Sequence, residues 1–138
     1  ISLDTVRDVS WSVVNQNPSN FALIDARPKE EYTGEKAGDG VGRAGHIPGA
    51  ASVFWLQNNL VSRENSVMKT EKELRQIYQN AGVTVEKTIV VYCRTGGQAS
   101  HTYFTLRYLG YNVMMYDGSY FQWNKQSDTQ IVTGDKRF

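Results

Sequence analysis

Apolar and polar positions along the chain fall into two rhythms that alternate as far as residue 116. Phe21 to Asp25, Ala50 to Phe54, Thr88 to Tyr92 and Asn112 to Tyr116 are short, mostly apolar runs, the pattern of strands buried on both faces. Between them the spacing becomes helical. Ser2 is placed to cap a first helix with Val6, Val9 and Val13 on one face, which Asn17-Pro18-Ser19-Asn20 ends. Thr70 and Glu73 make a capping box, after which Leu74, Ile77, Tyr78 and Ala81 recur at helical spacing until Gly82 supplies the stop. Ala99, Tyr103 and Leu106 share a face of a later helix that Gly110 closes. From Pro28 to Gly49 neither period is present, and the glycines and charges predict a long surface loop with one helical turn near Glu30. Asp135 to Phe138 read as a frayed or truncated end.

Strands alternating with helices predict an α/β fold, a central parallel sheet with right-handed crossovers and helices on both faces. Such sheets place ligands beyond the carboxyl ends of their strands. Asp25 with Arg27, the segment after Tyr92, and Asp117 with Gly118 are therefore expected at one edge, far apart as they are in sequence.

Composition narrows the picture little. At 138 residues the chain reads as one domain, residues 1–138, long enough to bury roughly 68% of its unfolded surface. A net charge of +1 with 21% charged residues gives no basic field, so no nucleic-acid partner is expected. No apolar run approaches the ~18 residues that cross a bilayer, so no membrane partner is expected either. The first residue is Ile1 rather than Met, which reads as a domain excised from a longer chain and leaves the compartment open.

The single cysteine carries the chemistry. Cys93 stands where an apolar strand stops and the turn Arg94-Thr95-Gly96-Gly97-Gln98 leads into a helix. Amides of a tight turn and of a helix's first turn lack internal partners, so they point at an anion and favour thiolate over thiol. Gly96 and Gly97 free successive amides to face inward, and polar residues follow Cys93 where a core cysteine would have apolar neighbours. A thiol reachable from solvent inside a ring of amides is the expectation. One cysteine excludes an intramolecular disulfide, and His46 and His101 alone make no ligand cluster, so neither a metal nor another cofactor is expected. Cysteine-dependent phosphatases carry an arginine six positions after the cysteine to clamp a tetrahedral oxyanion, whereas Ala99 stands there in this chain.

Four motifs in order resemble those of the rhodanese sulfurtransferase family. They are Leu23-Ile24-Asp25-Ala26-Arg27 with Glu31-Tyr32-Thr33-Gly34, then Gly45-His46-Ile47-Pro48-Gly49-Ala50, the Tyr92-Cys93 loop, and Tyr116-Asp117-Gly118-Ser119 with Trp123. The pattern is most similar to the catalytic C-terminal module of tandem thiosulfate or 3-mercaptopyruvate sulfurtransferases. The resemblance implies a rhodanese-like fold and a persulfide intermediate on Cys93, with a small-molecule sulfur donor and acceptor as partners. An inactive upstream copy of the domain in the same chain is also implied. Arg27 matches the family's substrate-binding arginine, Arg43 is a candidate substrate-binding source of positive potential, and Arg94 and Thr95, directly after the cysteine, are further candidate substrate-binding residues. Thr95 leaves the donor open, since thiosulfate-preferring members often carry lysine there and mercaptopyruvate-preferring ones a small hydroxyl residue. The resemblance makes His46 a loop-fixing residue. A sulfur-carrier or regulatory module serving a protein partner is the alternative to an enzyme.

Overall fold

A computed structural model describes residues 9–16, 18–61, 64, 67–95 and 97–138. Its frame is a four-stranded parallel sheet in the order β2-β1-β3-β4, made of β1 (Phe21–Asp25), β2 (Ala51–Ser52), β3 (Thr88–Tyr92) and β4 (Asn112–Met115). Among the described residues six helices accompany it: α1 (Trp11–Asn15), α2 (Lys29–Thr33), α3 (Trp55–Asn59), α4 (Glu71–Asn80), α5 (Gly97–Tyr108) and α6 (Ser119–Trp123). The expected α/β architecture is the one observed.

Alternation along the strands divides the core into two layers. Ala22, Ile24, Ile89, Val91, Val113 and Met115 face a cluster completed by Leu74 and Tyr78 of α4 and by Ala99 and Leu106 of α5. Leu23, Val90 and Tyr92 face the other, completed by Val14 of α1, Tyr32 of α2 and Tyr120 and Trp123 of α6. Each central strand is thus mostly apolar because it is covered twice. Thr70 caps α4 as its sequence predicts, its side chain accepting from the Glu73 amide.

Differences from the sequence reading are local. Of the first predicted helix, Ser2 and Val6 lie outside the described residues, and α1 starts only after Ser10. β2 is two residues long, because the Val53 amide donates to Asp25 O and the Trp55 amide to Ala26 O, turning the chain into α3. Neither α3 nor α6 is expected from periodicity, since five residues are too few to display one. The C-terminus is docked rather than frayed. The Gly49 amide donates to Arg137 O, Arg137 donates to Ala81 O, and Lys29 pairs with Asp135. No helix among the described residues is long and apolar enough to cross a membrane.

Candidate active site

Parallel pairing brings the ends of the strands together. Asp25 lies opposite Tyr92, and Val91 opposite Met115. Beyond the last rungs the Ala26 amide donates to Tyr92 O and the Tyr116 amide to Val91 O, so both neighbours of β3 extend past it to the level of Cys93. The gathering of Asp25, Arg27, Cys93 and Asp117–Gly118 at one edge is therefore as expected.

Cys93 is held through its backbone. Its amide donates to Ser119 Oγ at 3.2 Å, and its carbonyl accepts from the Tyr120 amide at 2.9 Å. The Phe121 amide likewise donates to Arg94 O. Ser119 donates onward to Tyr116 O and is the one described non-glycine residue at positive φ, 56°. Left-handed backbone costs a side-chain-bearing residue roughly 1–2 kcal/mol, so the first turn of α6 is forced into the place where its hydroxyl meets the cysteine amide. Ser119 was legible in the sequence only as part of a motif.

The thiol itself departs from the expectation of solvent access. Cys93 is 1% exposed and joins the apolar cluster under α4 and α5, because the residue two positions beyond Val91 falls on the same face of the sheet. After it Thr95 is exposed and Arg94 half-buried, and the predicted loop residues Gly97, exposed, and Gln98, half-buried, already belong to α5. Gly96, predicted to supply one of the inward amides, lies outside the described residues.

Two of the three predicted substrate arginines are committed to the protein. Arg27 is fully buried. Its Nε and Nη2 donate to both oxygens of Asp25, with Nη2–Oδ2 at 2.7 Å, and Nη2 also donates to Gly45 O at 2.7 Å. The guanidinium lies over the Tyr120 ring at 4.1 Å. Burial alone would lower its pKa, but the Asp25 charge and hydrogen bonds outweigh that and hold it above its ordinary value. Arg27 therefore ties the β1 end to the Gly45 loop and exposes no surface, while its Nη1 is buried without a partner. Arg43 likewise bonds to the protein, donating to Asn124 O, Thr129 O, Gln126 O and Thr129 Oγ1. It fastens its loop to the segment after α6. Arg94 keeps 34% of its side-chain surface and pairs loosely with Glu31 at 3.4 Å.

His46 fixes its loop, as its motif implies. It is fully buried, stacked on Tyr32 at 3.7 Å, with Nδ1 at 2.8 Å from Tyr32 O. Gly45 beside it has φ 131°, and a Cβ there would lie 2.5 Å from Val132 O, so only glycine admits the His46–Val132 bridge. Tyr32 hydrogen-bonds Ala50 O, and its phenol is pushed up to about 12 by burial, with the Asp25 charge adding. Among the described residues no group of three or more His, Cys, Asp or Glu side chains is placed to hold a metal ion.

Known proteins resemble the chain in both sequence and fold. The chain is 36% identical over 137 residues to the sulfur carrier protein TtuD of Thermus thermophilus, covering 94% of this chain and 47% of that protein. It is 37% identical over 123 residues to a thiosulfate sulfurtransferase of Corynebacterium glutamicum, covering 83% and 39% respectively. The solved anaerobic ergothioneine biosynthesis enzyme of Chlorobium limicola, in complex with trimethyl histidine, superposes with a TM-score of 0.82 at 25% identity, over 92% of this chain and 32% of that one. The chain thus spans less than half the length of these relatives. The rhodanese-like domain family matches residues 10–126. By that match, and by the parallel sheet that carries it, the chain belongs to the rhodanese-like domain family.

Proposed function

We propose that the domain is an enzyme that moves a sulfane sulfur from thiosulfate or 3-mercaptopyruvate to a thiophilic acceptor such as cyanide or a thiol, through a persulfide on Cys93. The observation that supports this most is the position of the chain's one cysteine, one residue past β3 at the meeting point of the strand ends, with its amide and carbonyl both held by α6. A nucleophile so fixed loses little orientational freedom on reaction. The Cys93 thiolate attacks the outer sulfur of thiosulfate, forming a new S–S bond. The old one breaks, and its electron pair leaves with sulfite. An acceptor then attacks the terminal sulfur, and the pair returns to Sγ. Cys93 is buried while Thr95 and Gly97 after it are exposed, so the donor approaches from the side of those two residues.

With Arg27 and Arg43 engaged elsewhere, the donor's charge is met by Arg94 and by loop amides, and Thr95 contributes a hydroxyl where a lysine would add a second cation. An upstream domain in the same chain would complete the pocket wall, in keeping with the length of the relatives. Mass spectrometry after incubation with each donor tests the scheme. One added sulfur on Cys93 supports it, and no addition from either donor rejects it.

The likeness to a sulfur carrier protein favours a second reading, in which the persulfide forms but is surrendered only to a protein. Steady-state thiocyanate formation with cyanide separates the two: turnover supports the enzyme, and a stable persulfide without turnover supports the carrier.

A further inference from the structure

Away from the thiol, a polar relay joins α3, α4 and α5. Tyr78 of α4 donates to Asn59 Oδ1 at 2.5 Å, a separation that suits O–H···O and is too short for N–H···O. This fixes the orientation of the Asn59 amide, whose Nδ2 then faces His101 Nδ1 of α5 at 3.1 Å and Thr102 Oγ1 at 3.4 Å. Asn59 and Tyr78 are both fully buried. An amide N–H requires an acceptor opposite it, so Nδ1 carries no proton and the ring proton sits on Nε2.

The same imidazole also touches a side chain of α3. The Trp55 ring lies 5.0 Å from that of His101 and packs on the apolar cluster that includes Cys93. Its indole Nε1 is buried without an acceptor, so no hydrogen bond of its own side chain orients Trp55. Its placement depends on packing and on the attachment of α3 to α5, which begins directly after the cysteine loop.

We propose that His101 is a positioning residue for sulfur transfer at Cys93: as the neutral Nε2–H tautomer it accepts from Asn59 and holds α3, with Trp55, against the helix that carries the cysteine loop. This rests on the persulfide reading above. Burial holds the imidazole below its ordinary pKa, in agreement with a neutral ring. α3 carries no ionisable side chain, and Tyr78 faces the relay through Asn59 and Thr102.

The test pairs His101→Leu with His101→Asn, whose side-chain oxygen stands near the lost Nδ1. Leucine leaves the Asn59 N–H facing carbon, a loss expected to slow single-turnover persulfidation by saturating thiosulfate about tenfold, with the half-saturating concentration moved less than about twofold. Asparagine is expected to restore the rate to within about threefold of wild type, whereas a residue that only supports folding gives equal rates in all folded variants. Imidazole nitrogen shifts should show His101 protonated at Nε2 alone. A proton on Nδ1, or His101→Leu reacting like wild type, overturns the proposal by itself. Wild type that takes sulfur from neither donor rejects the persulfide reading and this inference with it.

Discussion

Replacing Arg27 with Met separates the two roles that sequence and structure give this residue. The substitution keeps side-chain length but leaves the Asp25 carboxylate buried without the guanidinium that contacts both its oxygens, and Gly45 O loses its donor. Removing one member of a buried ion pair costs about 3–5 kcal/mol, because the remaining charge stays desolvated and unpaired. With a urea m-value of about 2 kcal/mol/M, the unfolding midpoint should fall by roughly 1.5–2.5 M, a large part of the total for a domain whose stability is of order 5–15 kcal/mol. Tryptophan fluorescence in urea reads this directly. Persulfidation of the folded variant, measured below its transition, should stay within about threefold of wild type, since Arg27 offers no exposed surface to a donor. A variant that unfolds within about 1 kcal/mol of wild type yet takes up sulfur more than tenfold slower would refute the reasoning and return Arg27 to the donor site.

Other outcomes follow from single residues. Ser119→Ala keeps a side chain at φ 56° and loses the hydroxyl between Cys93 N and Tyr116 O, whereas Ser119→Gly loses the hydroxyl and relieves the strain. Thermal unfolding should therefore find alanine less stable than glycine by about 1 kcal/mol, with both reducing the rate of Cys93 persulfidation. Gly38→Ala would place a Cβ 2.6 Å from Glu31 Oε1 and 3.1 Å from Arg94 Cδ at φ 84°. It should loosen the Arg94–Glu31 pair, cost about 1–2 kcal/mol in a urea titration, and alter the concentration of thiosulfate needed for half-saturation. His101 is held low by burial, so the unfolded chain takes up this proton first as pH drops below ~6.5. Its contribution is complete above that pH and is lost on the way down. The urea midpoint should fall between pH 7.5 and 5.5, and by less in His101→Asn.

The strands and the longest helices are local events, and the amino-acid order alone determined them. Four apolar residues in each run of five between turn signals make β1 and β3, and Thr70 with Glu73 starts α4. The strand-to-helix switch at Cys93, and through the parallel topology its meeting with Asp25 and Asp117, were determined in the same way. The fate of each charge was not. Arg43 finds its acceptors 80 to 86 residues away, and Arg27 turns to Gly45 rather than outward, because those carbonyls reach them only after the 28–49 loop folds over the strand ends. Burial of Cys93 depends in the same way on α4 and α5 closing one face of the sheet. A sequence states which groups can bond and at what spacing; only the packed chain decides which donor meets which acceptor, since a buried polar group must take the partner within reach.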